Sequence, residues 1–220
     1  MEQLALGFPA SKKKKGRRRG PKAKPHARTL HRARPEHAKW RPVHVTLRAR
    51  RLLPSLRVQR VLGRLRRVVS KTQRDDFQIV HFSIQHDHVH MLVEAADKAS
   101  LTRGLRSVII RLAFGVQAVV GVRGRVWGDR YHRRDLGTPR EVRRALVYVL
   151  MNAKKHLGVE RAAEVLDPYS TALSFDGWSV PIHPGLVARA PPHLAPRTWL
   201  LGIGWKKHWG AIGLGEAPSG

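Results

Sequence analysis

The chain contains no cysteine, which excludes disulfides, thiolate metal sites and cysteine nucleophiles. Acidic residues are scarce: 15 Asp and Glu stand against 43 Lys and Arg, for a formal net charge of +28 and a pI near 11.8. Such an excess repels itself unless a polyanion is near. Nucleic acid is the first partner it implies, because every phosphate neutralised releases counterions; an anionic membrane surface is the second. Long apolar runs are missing as well. None approaches the length of a bilayer-spanning helix, and the N-terminus carries no signal-like apolar segment, so no membrane partner is expected.

At 220 residues the chain has room for one compact domain plus tails. Met1–Arg41 holds the charge blocks Lys12–Lys15 and Arg17–Arg19 and few apolar residues, the composition of a disordered basic tail. Pro42–Ala49 alternates as a strand, with Val43, Val45 and Leu47 on one face and His44, Thr46 and Arg48 on the other. Leu56–Lys71 has helical apolar spacing, with Ser55 as its expected cap. Phe77–Gln85 and Val89–Glu94 read as a strand hairpin. A helix capped by Ser100 follows to Val120, then a short extended piece at Val126–Trp127. Thr138-Pro139-Arg140-Glu141 is a capping box opening a helix to about Leu157, with Gly158 as its stop. Beyond Asp167 the chain is rich in Pro, Gly and Trp and reads as an irregular extension over residues 160–220. The order predicts an α+β fold: a ferredoxin-like antiparallel sheet with helices on one face, plus a C-terminal helix.

His88-Val89-His90 is the sharpest local feature. Positions two apart on a strand point the same way, so both imidazoles project from the face opposite Val89 and Met91 and can share one cation. On the last helix Tyr148 and Asn152 lie four apart, off the apolar stripe of Val142, Leu146, Val149 and Ala153. If that flank meets the sheet, His88, His90 and Asn152 form a three-ligand site. The bland alternative is a set of surface histidines with an edge tyrosine and its amide neighbour.

Taken together, HDHVHMLVE (His86–Glu94), VWGDRYHRRDL (Val126–Leu136) and YVLMNAKKHLG (Tyr148–Gly158) resemble the single-tyrosine HUH transposases, most closely the REP-associated tyrosine transposases. The likeness spans roughly residues 40–159, so a domain over 42–159 is expected. It implies His88 and His90 as the metal-binding HUH pair, Asn152 as third ligand, Tyr148 as nucleophile, and Mg²⁺ or Mn²⁺ as cofactor. Two positions depart from the pattern: Asp87 stands where Asn is common, and Ala153 where Pro is common.

The resemblance implies cutting of single-stranded DNA, at hairpin or palindromic ends, through a 5′-phosphotyrosine that conserves bond energy. The absence of a GxxxxGK[ST] phosphate loop agrees with resealing without ATP. His44, Thr46, Arg48, Trp127, Arg130, Arg133, Lys154 and Lys155 are candidate DNA contacts. Tyr131, in a loop-like segment without a paired ligand, is the rival nucleophile. A cytoplasmic, nucleoid-associated monomer or homodimer is expected. The competing readings are a domesticated or noncatalytic nucleic-acid-binding protein and a replication or transfer initiator. Against an RNA-binding module, Phe77 and Phe82 are expected on opposite sheet faces rather than as paired stacking rings.

Overall fold

The computed structural model describes residues 36–154, 166–188, 190 and 194–218. Its framework is β1 (Val43–Arg48), α1 (Gln59–Thr72), β2 (Phe77–Ile84), β3 (His88–Ala95), α2 (Lys98–Val120), β4 (His132–Asp135) and α3 (Pro139–Met151). The strands form one antiparallel sheet in the order β2-β3-β1-β4. This is the expected α+β, ferredoxin-like layout of two split β-α-β units.

Strand alternation divides the core in two. Val43, Val45 and Leu47 of β1 and Val89, Met91 and Val93 of β3 pack against α1 and α2 in one apolar cluster. The bulge between Ile79 and His81 of β2 shifts the alternation by one residue. Phe77 and Phe82 therefore fall on the same face, both in this cluster and both fully buried, which corrects the expectation of opposite faces. Neither ring is presented for stacking.

Other boundaries also move. Helix α1 begins at Gln59, because Leu56 is drawn into the core with its N–H on the His86 carbonyl, and Arg57 is held by Asp167 and the Ile84 carbonyl. Ser55 instead accepts from the Arg57 N–H, one turn ahead of the helix. The cap of α2 is Asp97, whose carboxylate accepts from Ser100 N. The fourth strand is His132–Asp135; Val126 and Trp127 contribute only the isolated bridge between Ala49 and Trp127. The capping box of α3 is present: Thr138 Oγ1 accepts from Glu141 N, and the Glu141 carboxylate reaches back to Gly137 N. Helical backbone continues through Asn152, at φ −59° and ψ −30°. The expected end at Leu157–Gly158 lies outside the described residues, as does the tail over residues 1–35. Residues 36–41, assigned to the tail by composition, are tied to the sheet: His37 is buried against Asp135 and the Ala95 carbonyl, and Trp40 N also donates to Ala95 O.

The second sheet face is closed by α3 and by the C-terminal extension. Val80 and Leu92 of the sheet, Leu146, Val149 and Leu150 of α3, and Ala172, Phe175, Trp178, Leu201, Trp205 and Ile212 of the extension form a second buried cluster. Two buried carboxylates fasten the extension. Glu94, fully buried on β3, accepts from Gln78 Nε2 and from the Arg197 and Thr198 N–H groups and the Thr198 hydroxyl, at 2.6–3.0 Å. Asp167 takes a two-pronged pair from Arg57 at 2.8 and 2.9 Å. Next to it, Ile84 N donates to Tyr169 O, so the extension continues the sheet past the edge of β2. Among the described residues no helix is long and apolar enough to cross a membrane.

Candidate active site

On the second sheet face, the part under the extension is closed, with Val80 and Leu92 among the buried polar side chains of Gln78, His81, Ser83 and Glu94; the half around His44 and His90 is polar. His44 and Thr46 on β1 stand beside His88 and His90 on β3, with Thr46 directly opposite His90 in the register. The rings of His88 and His90 are 4.6 Å apart between centroids, as their shared face requires. Helix α3 crosses this half and brings the Tyr148 ring to 5.0 Å from His90 and 5.7 Å from His44. Tyr148 is half-buried. It lines an open cavity of about 270 Å³ with His44, Arg134, Glu141 and Arg144.

The histidines are oriented by neighbours. His88 Nδ1 is 2.6 Å from Asp87 Oδ1, and this hydrogen bond is the main reason the Asp87 carboxyl sits below its usual range. His90 Nδ1 lies 3.1 Å from Thr46 Oγ1 and 3.2 Å from His44 Nε2. Burial, and then the nearby Arg134 guanidinium, push His44 down to about 4, so it is a neutral imidazole at pH 7. Asn152 is buried, one helical turn beyond Tyr148, and its Nδ2 has no hydrogen-bond partner among the described residues. Among those residues no three His, Cys, Asp or Glu side chains gather as a metal-holding group; a set that includes an amide is a different case.

Of the residues singled out from sequence, His44, Thr46, His88, His90 and Tyr148 converge. Tyr131 does not; it packs against the helix-side core. Trp127 is 7% exposed and donates from Nε1 to the Ile109 carbonyl, so it is a core residue and not a base-stacking surface. The Arg133 side chain is also 7% exposed and pairs with Asp135, which removes it as a phosphate contact. Lys154 donates to the Leu214 carbonyl, and burial lowers its pKa; it ties down the extension. Arg130 and Arg48 are exposed, and Lys155 lies outside the described residues. Sequence reading passed over Arg134 and Arg144. Arg134 stands opposite His44 on β4, and its strand was hidden because HRRD has no apolar alternation. Arg144 is one turn before Tyr148 on α3, a spacing visible in the sequence.

Residues 42–149 match the family model described as "Transposase IS200 like". No curated protein matches the chain. Among solved structures the chain is similar to a REP-associated tyrosine transposase bound to a REP hairpin, with a TM-score of 0.50 and 20% identity, covering 64% of this chain and 82% of that one. It is also similar to a proposed transposase from Deinococcus radiodurans R1, with a TM-score of 0.38 and 13% identity, covering 52% of this chain and 92% of that one. The first of these likenesses bears on the fold: the same sheet with helices around it.

Proposed function

From a chain whose segment 42–149 belongs to the IS200-like transposase family, we propose an enzyme that cuts and rejoins single-stranded DNA, with Tyr148 as nucleophile. The observation that carries this reading is the meeting of Tyr148 with His90 and His44, and of His90 with His88, across two elements distant in sequence.

The donor set fits a divalent cation. Asp87 engages Nδ1 of His88, and Thr46 and His44 engage Nδ1 of His90, which assigns any metal bond to Nε2 of each ring; such outer hydrogen bonds fix ring orientation at metal sites. The buried Asn152 amide, with Nδ2 unpartnered among the described residues, is the third candidate ligand through its oxygen. Two imidazoles and an amide suit Mn²⁺ at least as well as Mg²⁺. The ion would polarise the scissile phosphate and offset charge growing on its oxygens.

In the reaction proposed, Tyr148 Oη bonds to phosphorus and the bond from phosphorus to O3′ breaks. The phenol loses its proton, and the departing 3′ oxygen gains one. The product is a 5′-phosphotyrosine and a free 3′-hydroxyl that can later attack it and restore the strand. Neutral His44 at Tyr148 adds no positive charge there, while Arg134 and Arg144 on the cavity wall supply charge for the flanking backbone. An unstacked strand or hairpin tip reaches such a recess more readily than a paired duplex.

The test uses end-labelled single-stranded DNA with hairpins from the gene's own flanks, with Mn²⁺, Mg²⁺ or chelator. A metal-dependent protein–DNA adduct is expected in the wild type and not in Tyr148→Phe. Tight, salt-sensitive binding with no adduct on any hairpin would replace this reading with the domesticated, binding-only one. An adduct that survives in Tyr148→Phe would move the nucleophile.

A further inference from the structure

A second groove opens beside the cavity at Tyr148. It is lined by Arg140, Arg143, Arg144, Val147, Trp209 and Glu216. Arg144 lines both. Tyr148, Arg144 and Arg140 are spaced by four on α3, so they run along one flank of the helix at about 6 Å per step. Glu216, the acidic member, is neutralised by a two-pronged pair with Arg143 at 2.6 and 2.7 Å. The groove therefore presents the exposed guanidiniums of Arg140 and Arg144 and one indole.

That indole is held out of the core on fixed supports. Trp209 is 47% exposed, whereas Trp205, one turn earlier, is buried, as is Ile212, three residues later. Gly210, at φ 70°, reverses the chain directly after Trp209, so that Ile212 pairs with Gly177 and Ser179 and Glu216 reaches α3. A large aromatic surface fixed between buried anchors, with cations at its side, is how sequence-tolerant single-strand sites are built: guanidiniums track the backbone while a ring stacks a base. Trp209 lies outside residues 42–149, so the extension adds this platform to the family segment.

We infer that the DNA strand engaged at Tyr148 continues over Arg144 and Arg140 and stacks a base on Trp209. This rests on the function proposed above. The experiment measures fluorescence anisotropy of labelled single-stranded oligonucleotides on the full chain, alongside the adduct assay. The oligonucleotides are shortened one nucleotide at a time on either side of the cut position. Trp209→Ala is expected to weaken binding of the long strand by about tenfold, as loss of one stacked base does. Strands truncated on the side that reaches Trp209 should bind wild type and variant alike. Trp209→Tyr should restore most of the affinity and Trp209→Leu should not, which separates stacking from packing. Arg144→Gln and Arg140→Gln should each lower the salt slope by about 0.7. Trp199→Ala, which removes another exposed indole of the extension, is the control expected to bind as wild type. Equal binding by wild type, Trp209→Ala and Trp209→Leu at every length overturns the inference. Because anisotropy needs no cutting, a missing adduct in the wild type would count against the nuclease reading alone.

Discussion

The two faces of the sheet were built in different ways. On the helix side, β1, β2 and β3 give only apolar side chains, and α1 and α2, each adjacent in sequence to the strands they cover, close over them. On the other side the face is mostly polar, with Val80 and Leu92 its apolar members. Its cover comes from α3 and from residues 171–212, more than 70 residues beyond β3. The first face stabilises the fold. The second sets His44, Thr46, His88 and His90 against one another, outside the apolar cluster, just where α3 arrives with Tyr148. The candidate site lies where α3 crosses polar strand positions that the apolar cluster with the extension does not take in.

Substitutions should divide along that line. The largest effect belongs to the polar half: His88→Ala is expected to lower metal-dependent adduct formation by at least about 100-fold, more than loss of a partner outside the ligand shell costs. Its thermal midpoint should stay close to wild type, since His88 is only half-buried. Mn²⁺ titration followed by electron paramagnetic resonance reads the affinity directly; unchanged affinity would remove His88 from the ligand set. Next come the apolar halves. Met91→Ala on the helix side and Trp205→Ala on the extension side, both buried, should cost roughly 2–5 and 3–5 kcal/mol respectively in denaturant unfolding. A Trp205→Ala protein as stable as wild type would mean the extension is not part of the core. Glu94→Ala follows, at about 3 kcal/mol, because it strands buried donors at Gln78, Arg197 and Thr198.

The helix-side face was legible in the sequence and the site side only partly. Val43, Val45 and Leu47 alternate, and α1 and α2 carry helical apolar spacing, so their faces followed from period alone. His88, His90 and Tyr148 were legible as well, because a strand pair and a helical spacing of four each leave a signature. The bulge in β2 was passed over: in FQIVHFSI the alternation breaks at the adjacent apolar pair Ile79-Val80, where the ladder gains one residue, and this put Phe82 on the unexpected face. Strand β4 was hidden because its pairing with β1 is made by HRRD, with Asp135 held by His37 and Arg133. Trp127 and Arg133 read as DNA contacts because residue type alone cannot tell an indole or guanidinium with a buried partner from one facing solvent. The extension has no period to read. Its order comes from single buried polar contacts, Glu94 to Thr198 and Arg57 to Asp167, between residues about 100 positions apart.

The smallest effect expected is an acid one, and it reads the tie between the extension and α3. Glu216 is held below its ordinary value of 4.5, first by its hydrogen bond with Arg143 and also by Gly213 N. A carboxylate with a lowered folded pKa contributes stability above its unfolded value and loses it as the pH falls through the folded one. The tie between Glu216 and α3 should therefore be intact at neutral pH and weaken below about 4.5. On the helix side Asp76 pairs with Arg103 and Asp97 caps α2, and both carboxyls are likewise held below their ordinary range, so the start of α2 shares the acid response, while the strand residues packed beneath it are apolar. Hydrogen exchange on the full chain, compared between pH 6 and pH 4 after correction for intrinsic rates, should show protection falling first at Gly213 and Glu216 N–H, while β1 and β3 stay protected. Glu216→Gln should show the lower protection already at pH 6 and little further change on acidification. Uniform loss across sheet and extension in the wild type would mean that acid acts through the whole fold, and that the extension is fastened by Glu94 and the buried tryptophans, with Arg143 and Glu216 adding nothing to it.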